Sequence, residues 1–403
     1  MAGIFKAYDV RGIYPTEIHE AIAEQIGRAF WHVLAADGFP SGKSVVVSRD
    51  MRSHSGPLQA ALVRGLRAAG LDVIDIGMVT TPMNYFAIGH LEAGGGVQVT
   101  ASHNPAKYNG LKFSRHEARP VSGETGIQLM EEKVKSGDLP QAETPGSLTT
   151  ADVWDAYSDH VLAHLERPSG AKALKVAIDA ANGMGTIYRP ILDKLGIEIV
   201  PLYFELDGTF PNHEANPLKL ENLHDLQAAV REHQADLGVT FDGDADRAAF
   251  TDEKGEPIGS DLATALIAGE LLGHNPGSAI LYDLRSSRAV AEYIQENGGV
   301  PVRERVGHSF MKKTLREKHA VFGGELAGHY YFRDNYYADC SLMAVVEILN
   351  LRWKANKPIS EIVRPLLLGT MPGNVPVHIA VLLAYSAAGF YVATVLTRKR
   401  LLT

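Results

Sequence analysis

Apolar residues recur along the chain at two different spacings, and these spacings alternate. Residues 20–36 and 58–69 place apolar side chains three and four positions apart, which predicts amphipathic helices. Residues 43–48 and 71–76 are short apolar runs, which predict buried strands. The alternation starts again at Lys175 and near Pro257, at intervals of roughly one hundred residues. Repeated strand–helix alternation predicts three consecutive α/β domains with parallel or mixed sheets.

The second and third repeats give further elements. The second predicts a strand from Lys175, helices over 188–195 and 222–233, and strands over 197–201 and 236–241. The third predicts helices over 261–272 and 289–297, and strands over 279–282 and 301–306. The polar segment 136–149 contains two prolines and predicts a linker. The expected domains are residues 1–145, 150–255 and 256–368, with an apolar, helical tail over 369–403.

Composition excludes several classes of protein. The chain has 403 residues, of which 45% are hydrophobic and 21% charged, so it is expected to be globular with several domains. Its net charge is −8 and it has no basic stripe, so no nucleic-acid partner is expected. Cys340 is the single cysteine, which favours a reducing compartment, and the first residues lack the apolar core of a signal peptide. We therefore expect a cytoplasmic protein.

A candidate nucleophile lies in the first repeat. After the apolar residues around Val99, Ser102 and His103 precede an Asn-Pro turn, and Lys112 follows. A hydroxyl at the end of a strand, beside a basic residue, indicates a side chain that can be phosphorylated. An ordinary strand-to-turn junction is the alternative interpretation of the same residues.

An acidic cluster follows a strand of the second repeat. In an extended backbone, Asp242, Asp244 and Asp246 would face the same side. Their mutual repulsion calls for a cation, and a set of oxygen ligands suits Mg²⁺. A calcium loop of the EF-hand type is excluded because Arg247 occupies the sixth position, where glycine is required. A solvated acidic turn stays as the alternative.

The third repeat contains three candidate binding groups. Glu325 and His329, separated by a flexible glycine, could hydrogen-bond neighbouring sugar hydroxyls, or they could simply be a paired glutamate and histidine in a loop. His308 lies beyond a predicted strand end and is expected to titrate near neutral pH unless its surroundings perturb it. Arg285, in the run DLRSSR, could contact a phosphate or a hydroxyl, or the run could be a helix N-cap.

Taken together, the motifs resemble those of a known family. FKAYDVRG, TASHNP, DGDADR and GELAGH, with ANGMG and FPNHEANPL, resemble a bacterial phosphomannomutase/phosphoglucomutase of the α-D-phosphohexomutase family, over residues 4 to about 370. The resemblance implies that Ser102 is a phosphoserine and that Mg²⁺ is held by its phosphate with Asp242, Asp244 and Asp246. It also implies reversible phosphoryl transfer between the 1 and 6 positions of mannose and/or glucose phosphate, through a hexose 1,6-bisphosphate.

The resemblance also suggests roles for the other candidates. Phosphoryl transfer requires mainly positioning and charge neutralisation, which Lys112 and Arg247 could supply. The candidates for proton transfer are His103, Lys112 and His308. The expected substrate-binding residues are Tyr8, Arg11, Arg285, Glu325 and His329.

Two departures from the family pattern favour an alternative. Ala327 replaces the serine usual in the sugar-binding loop, which costs about 1 kcal/mol of substrate binding. A fourth domain carrying a phosphate-binding loop is also not expected, because the resemblance stops near Gly369. The alternative function is a weakened or inactive sugar-phosphate and Mg²⁺-binding homologue.

The tail has three interpretations. A mostly apolar run of 20 residues begins at Val377 and ends at Leu396. It could be a remnant without a role, a helix docked on the third domain, or a membrane anchor, since its length would span a bilayer. A membrane is not an expected partner, but this run leaves the possibility open.

Overall fold

The computed structural model describes residues 3–368 and 380–391. Contacts within the chain define two units, Met1–Val363 and Arg364–Thr403. The first unit contains three sheets in chain order, which we call sheets I, II and III, and each is flanked by helices. The predicted fold class, consecutive α/β domains with mixed sheets, is therefore confirmed.

Sheet I has the strand order β1-β5-β4-β2-β3-β7, with β6 paired to β5. Its parallel core is β4-β2-β3-β7, and β5 runs antiparallel to β1 and β4. The elements are β1 Val10–Ile13, α1 Glu20–Ala36, β2 Ser44–Arg49, α2 Ser55–Ala68, β3 Asp72–Met78, α3 Thr81–His90, β4 Gly95–Val99, β5 Tyr108–Arg115, β6 Arg119–Pro120, α4 Gln128–Ser136 and β7 Leu148–Thr150.

Strand β7 corrects the prediction of a linker over 136–149. Its three residues pair in parallel with β3, so the end of that segment forms the edge of sheet I. Its side chains are exposed, with Leu148 at 47%, so the strand buries no apolar face that the sequence could have revealed.

Sheet II has the order β12-β11-β10-β8-β9, in which β10, β8 and β9 are parallel and β11 and β12 are antiparallel additions. The elements are α5 Trp154–Leu162, β8 Lys175–Asp179, α6 Arg189–Leu192, β9 Glu198–Leu202, α7 His224–His233, β10 Leu237–Phe241, β11 Ala248–Thr251 and β12 Pro257–Ile258. All five residues of β10 are buried, as the apolar run predicted.

Sheet III has the order β14-β13-β15-β16-β17, with β14, β13 and β15 parallel. The elements are α8 Ser260–His274, β13 Ala279–Asp283, α9 Arg288–Glu296, β14 Val300–Glu304, α10 His308–Glu317, β15 Phe322–Gly324, β16 Tyr330–Phe332, β17 Ala338–Asp339, α11 Ser341–Ala355 and α12 Ile359–Leu368.

The three sheets place the candidate residues by one common rule. Ser102 follows β4, Asp242 follows β10 and Glu325 follows β15, each at the carboxyl end of a buried strand. Ligand sites of α/β sheets form beyond these strand ends, because the loops there converge while the strands themselves stay packed. The fold thus places chemistry-bearing loops from all three sheets beyond equivalent strand ends.

The second unit contains a helix over residues 380–391, which we call α13. Its large apolar side chains are exposed, among them Leu382 at 66% and Tyr385 at 76%. The segment from Val377 to Leu396 extends at both ends beyond the described residues. Within the described part of the chain, no helix has both the length and the apolar character needed to span a bilayer. The expected cytoplasmic location stays a prediction.

Candidate active site

Ser102 lies beyond β4 with its hydroxyl facing the turn that follows β10. Its Oγ donates to Oδ2 of Asp242 at 2.8 Å and lies 3.1 Å from Nδ1 of His103. The residue is 2% exposed and has φ +52°, a left-handed backbone that a residue with a side chain adopts only under local constraint. The predicted hydroxyl and the first predicted aspartate, 140 residues apart in sequence, are thus in contact.

Arg52 supplies that constraint. Its side chain is fully buried and pairs through Nε with Oδ2 of Asp50 at 3.2 Å. The two terminal nitrogens donate to four backbone carbonyls at 2.6 to 3.0 Å, those of Ser102, Asn104, Pro105 and Tyr108. A single planar guanidinium therefore fixes the path of the whole serine loop.

The three aspartates lie in a tight turn and not on an extended strand. β10 ends immediately before Asp242, and Ala245 has φ +58°. Oδ1 of Asp242 accepts the backbone N–H of Asp246 and that of the next residue, each at 3.1 Å. The predicted convergence is correct, but its predicted reason, alternation along an extended chain, is wrong. The turn brings one oxygen each from Asp242, Asp244 and Asp246 within 4.8 Å of one another.

The donor set fits a metal ion. All three carboxylates are buried, and burial together with the neighbouring carboxylates raises the pKa of Asp242 well above its ordinary value. Oδ1 of Asp244 is buried and has no hydrogen-bond partner among the residues described. Buried acceptors are rarely left without a partner, so this oxygen is a candidate ligand atom.

Lys112 is the nearest cation to this cluster. Its Nζ lies 2.6 Å from Oδ2 of Asp244 and 2.5 Å from Oδ2 of Asp246. Burial alone would lower the pKa of Lys112, but these two carboxylates outweigh it and raise the pKa well above its ordinary value. Lys112 is therefore a fixed positive charge, which suits charge stabilisation better than proton transfer.

His329 is held as a cation between two carboxylates. Its Nε2 lies 3.4 Å from Oδ1 of Asp246 and its Nδ1 lies 3.5 Å from Oε2 of Glu325. Burial and Arg247 oppose protonation, but the two carboxylates raise the pKa of His329 to about 9. Nε of Arg247 lies 3.2 Å from Nε2 of the same ring, within hydrogen-bond distance.

His103 and His308 are the opposite case, because both are neutral imidazoles. Burial, with Arg247, lowers the pKa of His103 to about 2. Burial, with Lys312, lowers the pKa of His308 well below its ordinary value. His308 was expected to titrate near neutral pH unless its surroundings perturb it, and here burial perturbs it. Neither ring therefore holds a proton before a reaction, and so low a pKa makes His103 a weak base.

A cavity of about 330 Å³, which we call the cleft, joins these groups. Most of the predicted site residues line it, namely Tyr8, Arg11, Ser102, His103, Lys112, Asp246, Arg247, His308 and His329. Lys6 adds a further cation, so the lining suits an anionic substrate although the whole chain is negatively charged.

Glu325 and Arg285 are engaged within the protein. Glu325 accepts hydrogen bonds from the backbone N–H of Gly307 at 2.9 Å and from the hydroxyl of Tyr331 at 2.5 Å. Arg285 pairs with Asp283 at 2.6 Å. Neither is among the residues that line the cleft, so their expected contacts with the substrate stay predictions.

Comparison with known proteins agrees with this geometry. Residues 2–141, 155–255 and 259–367 match, in turn, domains I, II and III of the family described as phosphoglucomutase/phosphomannomutase, alpha/beta/alpha. The chain belongs to this family. It is accordingly a phosphohexomutase, and its reaction class is phosphoryl transfer on hexose phosphates.

Individual relatives support the assignment over most of the chain. The phosphomannomutase of Salmonella montevideo is 39% identical over 368 residues, which cover 89% of this chain and 79% of the relative. The phosphomannomutase of Escherichia coli K12 is 38% identical over 371 residues, with the same coverage. The crystal structure of a phosphoglucomutase/phosphomannomutase family protein from Burkholderia thailandensis has a TM-score of 0.84 and 36% identity, and covers 90% of this chain and 79% of that one.

Several groups around this phosphohexomutase site did not emerge from the sequence. Arg52 is one of them. Thr81 is another, and its Oγ1 donates to Oδ2 of Asp244 at 2.5 Å. The third is Asp339, which pairs with the buried Lys312 at 2.6 Å and lines the cleft. Arg52 and Thr81 each follow a strand of the parallel core of sheet I by three residues. Polar residues just beyond the carboxyl ends of parallel strands were the signal that could have revealed them.

Proposed function

We propose that the chain interconverts the 1-phosphate and 6-phosphate of a hexose, mannose and/or glucose, through phosphorylated Ser102 and a hexose 1,6-bisphosphate. The observation that carries this proposal is the 2.8 Å contact between Ser102 Oγ and Asp242 at a cation-lined cleft. Ser102 in its phosphorylated form gives its phosphoryl group to the free hydroxyl of a bound hexose monophosphate. The bisphosphate then turns around and returns its other phosphoryl group to Ser102.

The residues of the cleft have complementary roles in this scheme. Lys112 and Arg247 are cations beside the reacting oxygens, where they stabilise negative charge on the phosphoryl group. His103 and His308 line the same cleft and are the candidates for accepting the proton that the attacking sugar hydroxyl releases. Tyr8 and Arg11 lie on the cleft wall and would orient the sugar phosphate.

The metal in this proposal is Mg²⁺, held by Asp242, Asp244 and Asp246 together with the phosphate on Ser102. The ion would neutralise negative charge on the transferring phosphoryl group. Treatment with EDTA should abolish turnover, and added Mg²⁺ should restore it. Full turnover after exhaustive chelation would contradict the assignment of these three residues as a metal site.

The covalent step can be tested directly by intact mass. Incubation with glucose 1,6-bisphosphate and Mg²⁺ should add one phosphoryl group, located to Ser102 by peptide mapping. Ser102→Ala should gain none, whereas Ser136→Ala, an exposed serine at the end of α4, should behave as wild type. In a coupled assay with mannose 1-phosphate or glucose 1-phosphate, Ser102→Ala should lose at least about 10³-fold in turnover. Unchanged turnover in Ser102→Ala would refute the mechanism.

The same measurements address the alternative, a sugar-phosphate-binding homologue with little turnover. Ala327 favours it, because the methyl group offers no hydrogen bond to a sugar hydroxyl. The alternative predicts that Ser102 takes up the phosphoryl group but that neither monophosphate is turned over. Turnover restored by Ala327→Ser would identify the missing hydroxyl as the cause.

A further inference from the structure

A second cavity lies between β5–β6 of sheet I and α10 of sheet III. We call it the seam pocket; it has a volume of about 450 Å³, within the range of small-molecule sites, about 300–1,000 Å³. Its lining includes six residues that bear on its chemistry, namely Arg115, Arg119, Arg305, Ser309, Lys313 and Arg316. None of these six lines the cleft, so the seam pocket is a separate site.

The lining of the seam pocket is strongly cationic. Five arginines and lysines face two acidic side chains, Glu124 and Glu317. Arg115 pairs with Asp37 at 3.1 Å, Arg119 pairs with Glu117, and Lys313 lies 3.8 Å from Glu317. With these partners counted, five cations face four carboxylates, so positive charge exceeds negative charge around the cavity by one.

Two of the cations have no acidic partner. Among the described residues, no carboxylate oxygen lies within 4 Å of a guanidinium nitrogen of Arg305 or Arg316. Arg316 donates only to backbone carbonyls, while Arg305 lies with its guanidinium carbon 3.3 Å from the ring centre of Phe310. Burial is the main cause that lowers the pKa of Arg316 to about 10, and the positive charge of Arg119 adds to this effect.

An unpaired hydroxyl completes the set. Ser309 is 7% exposed and lines the pocket, and its Oγ has no hydrogen-bond partner in the described part of the chain. It is also the second residue of α10, a helix of ten residues whose amino end carries positive partial charge. A buried hydroxyl, a helix amino end and unpaired guanidinium groups together form the donor set that binds phosphate groups in proteins.

We propose that the seam pocket binds a small phosphate-bearing anion, separately from the cleft. The anion would bridge β5–β6 and α10. Each of these elements adjoins the cleft, because β5 carries Lys112 and α10 begins at His308. The proposal does not depend on phosphorylation of Ser102. It can therefore fail while the proposed function holds, and the proposed function can fail while this proposal holds.

Calorimetric titration of the full chain can test this, with inorganic phosphate and glycerol 3-phosphate as separate probes. Four proteins are compared: wild type, the cleft variant Arg247→Gln, the cleft variant with the pocket substitutions Arg305→Gln/Lys313→Gln added, and the cleft variant with the control substitutions Arg64→Gln/Lys254→Gln added. The control removes the same charge from exposed positions away from both cavities, because Arg64 and Lys254 have side chains 57% and 67% exposed. Circular dichroism verifies that all four are folded.

The expected result is saturable binding in the cleft variant that weakens about tenfold or more when the pocket substitutions are added, and no such change from the control substitutions. Tighter binding of glycerol 3-phosphate than of inorganic phosphate would identify the ligand as an organic phosphate, and the reverse order would identify free phosphate. Absence of saturable binding of both probes to the cleft variant would overturn the proposal. Binding that the pocket substitutions leave unchanged would also overturn it.

Discussion

Replacing Arg52 by lysine should separate the position of the nucleophile from its chemistry. Arg52 is fully buried, forms an ion pair with Asp50, and donates hydrogen bonds to four backbone carbonyls of the Ser102 loop. Lysine keeps the charge, but its three donors sit on one nitrogen and cannot reach both sides at once. Several of the carbonyls should therefore lose their partner while remaining buried.

The structure allows the size of this effect to be worked out. A buried polar group left without a partner costs about 1–3 kcal/mol. Removing one member of a buried ion pair entirely costs about 3–5 kcal/mol. Arg52→Lys retains the charge and should therefore cost about 2–4 kcal/mol of the free energy of unfolding. If the Ser102 loop shifts by about 1 Å, phosphoryl transfer to Ser102 should slow by about 10²-fold.

Two measurements with one control test this reasoning. Urea denaturation gives the free energy of unfolding, and timed intact-mass analysis gives the rate at which glucose 1,6-bisphosphate phosphorylates Ser102. Arg64→Lys is the control, because Arg64 is 57% exposed and makes a surface ion pair with Glu24. Its effect on stability should stay within about 1 kcal/mol. A destabilised Arg52→Lys chain that is phosphorylated at the wild-type rate would refute the positioning role, and unchanged stability would refute the energetic argument.

The remaining predictions concern a close backbone contact and a charged histidine. In Gly243→Ala the new Cβ would overlap the carbonyl oxygen of Ser102, so the free energy of unfolding should fall by about 1–3 kcal/mol and phosphorylation of Ser102 should slow. The control is Gly56→Ala in α2, where the new Cβ has free space, and urea denaturation should show a change of less than about 1 kcal/mol. Equal effects of the two substitutions would contradict the contact. Burial would lower the pKa of His213, but its 2.9 Å hydrogen bond to Asp179 outweighs this and raises the pKa above 6.5. The stability that protonated His213 adds is therefore fully present below about pH 6.5 and is lost as the pH rises through the raised value. The loss of stability in His213→Gln should thus be larger at about pH 6 than at about pH 9, and a pH-independent loss would refute the charge.

The sequence predicted those parts of the fold whose signal is local. Helix α1 was predicted over residues 20–36 and found there, because its apolar face packs into the core of sheet I. The predicted helix over 188–195 is instead a 3₁₀ turn, Met184–Tyr188, followed by the single helical turn of α6. Edge strand β7 was missed because its three side chains are exposed and only pairing with β3 defines it. Hydrophobic periodicity does not record such pairing between distant segments.

At the candidate site, too, local features could be predicted from the sequence and features that depend on packing could not. The motifs identified Ser102 and the three aspartates, but the turn that gathers the carboxylates depends on a left-handed residue, Ala245, which carries no sequence signal for that backbone. The pKa of His308 could not be predicted either. It is set by burial and by Lys312, and neither effect can be calculated without the packing. Residue identity was predictable at this site, whereas protonation state was not.

The charges of the site also bear on the proposal that the three aspartates hold a divalent ion. Before any phosphorylation, four buried carboxylates face three cations; the carboxylates belong to Asp242, Asp244, Asp246 and Glu325, and the cations are Lys112, Arg247 and His329. A phosphoryl group on Ser102 would add a further charge of about −1.5 to −2. These three cations cannot balance that charge at such depth, where an uncompensated ion costs several kcal/mol. A divalent cation at the aspartates would bring the phosphorylated site close to neutrality.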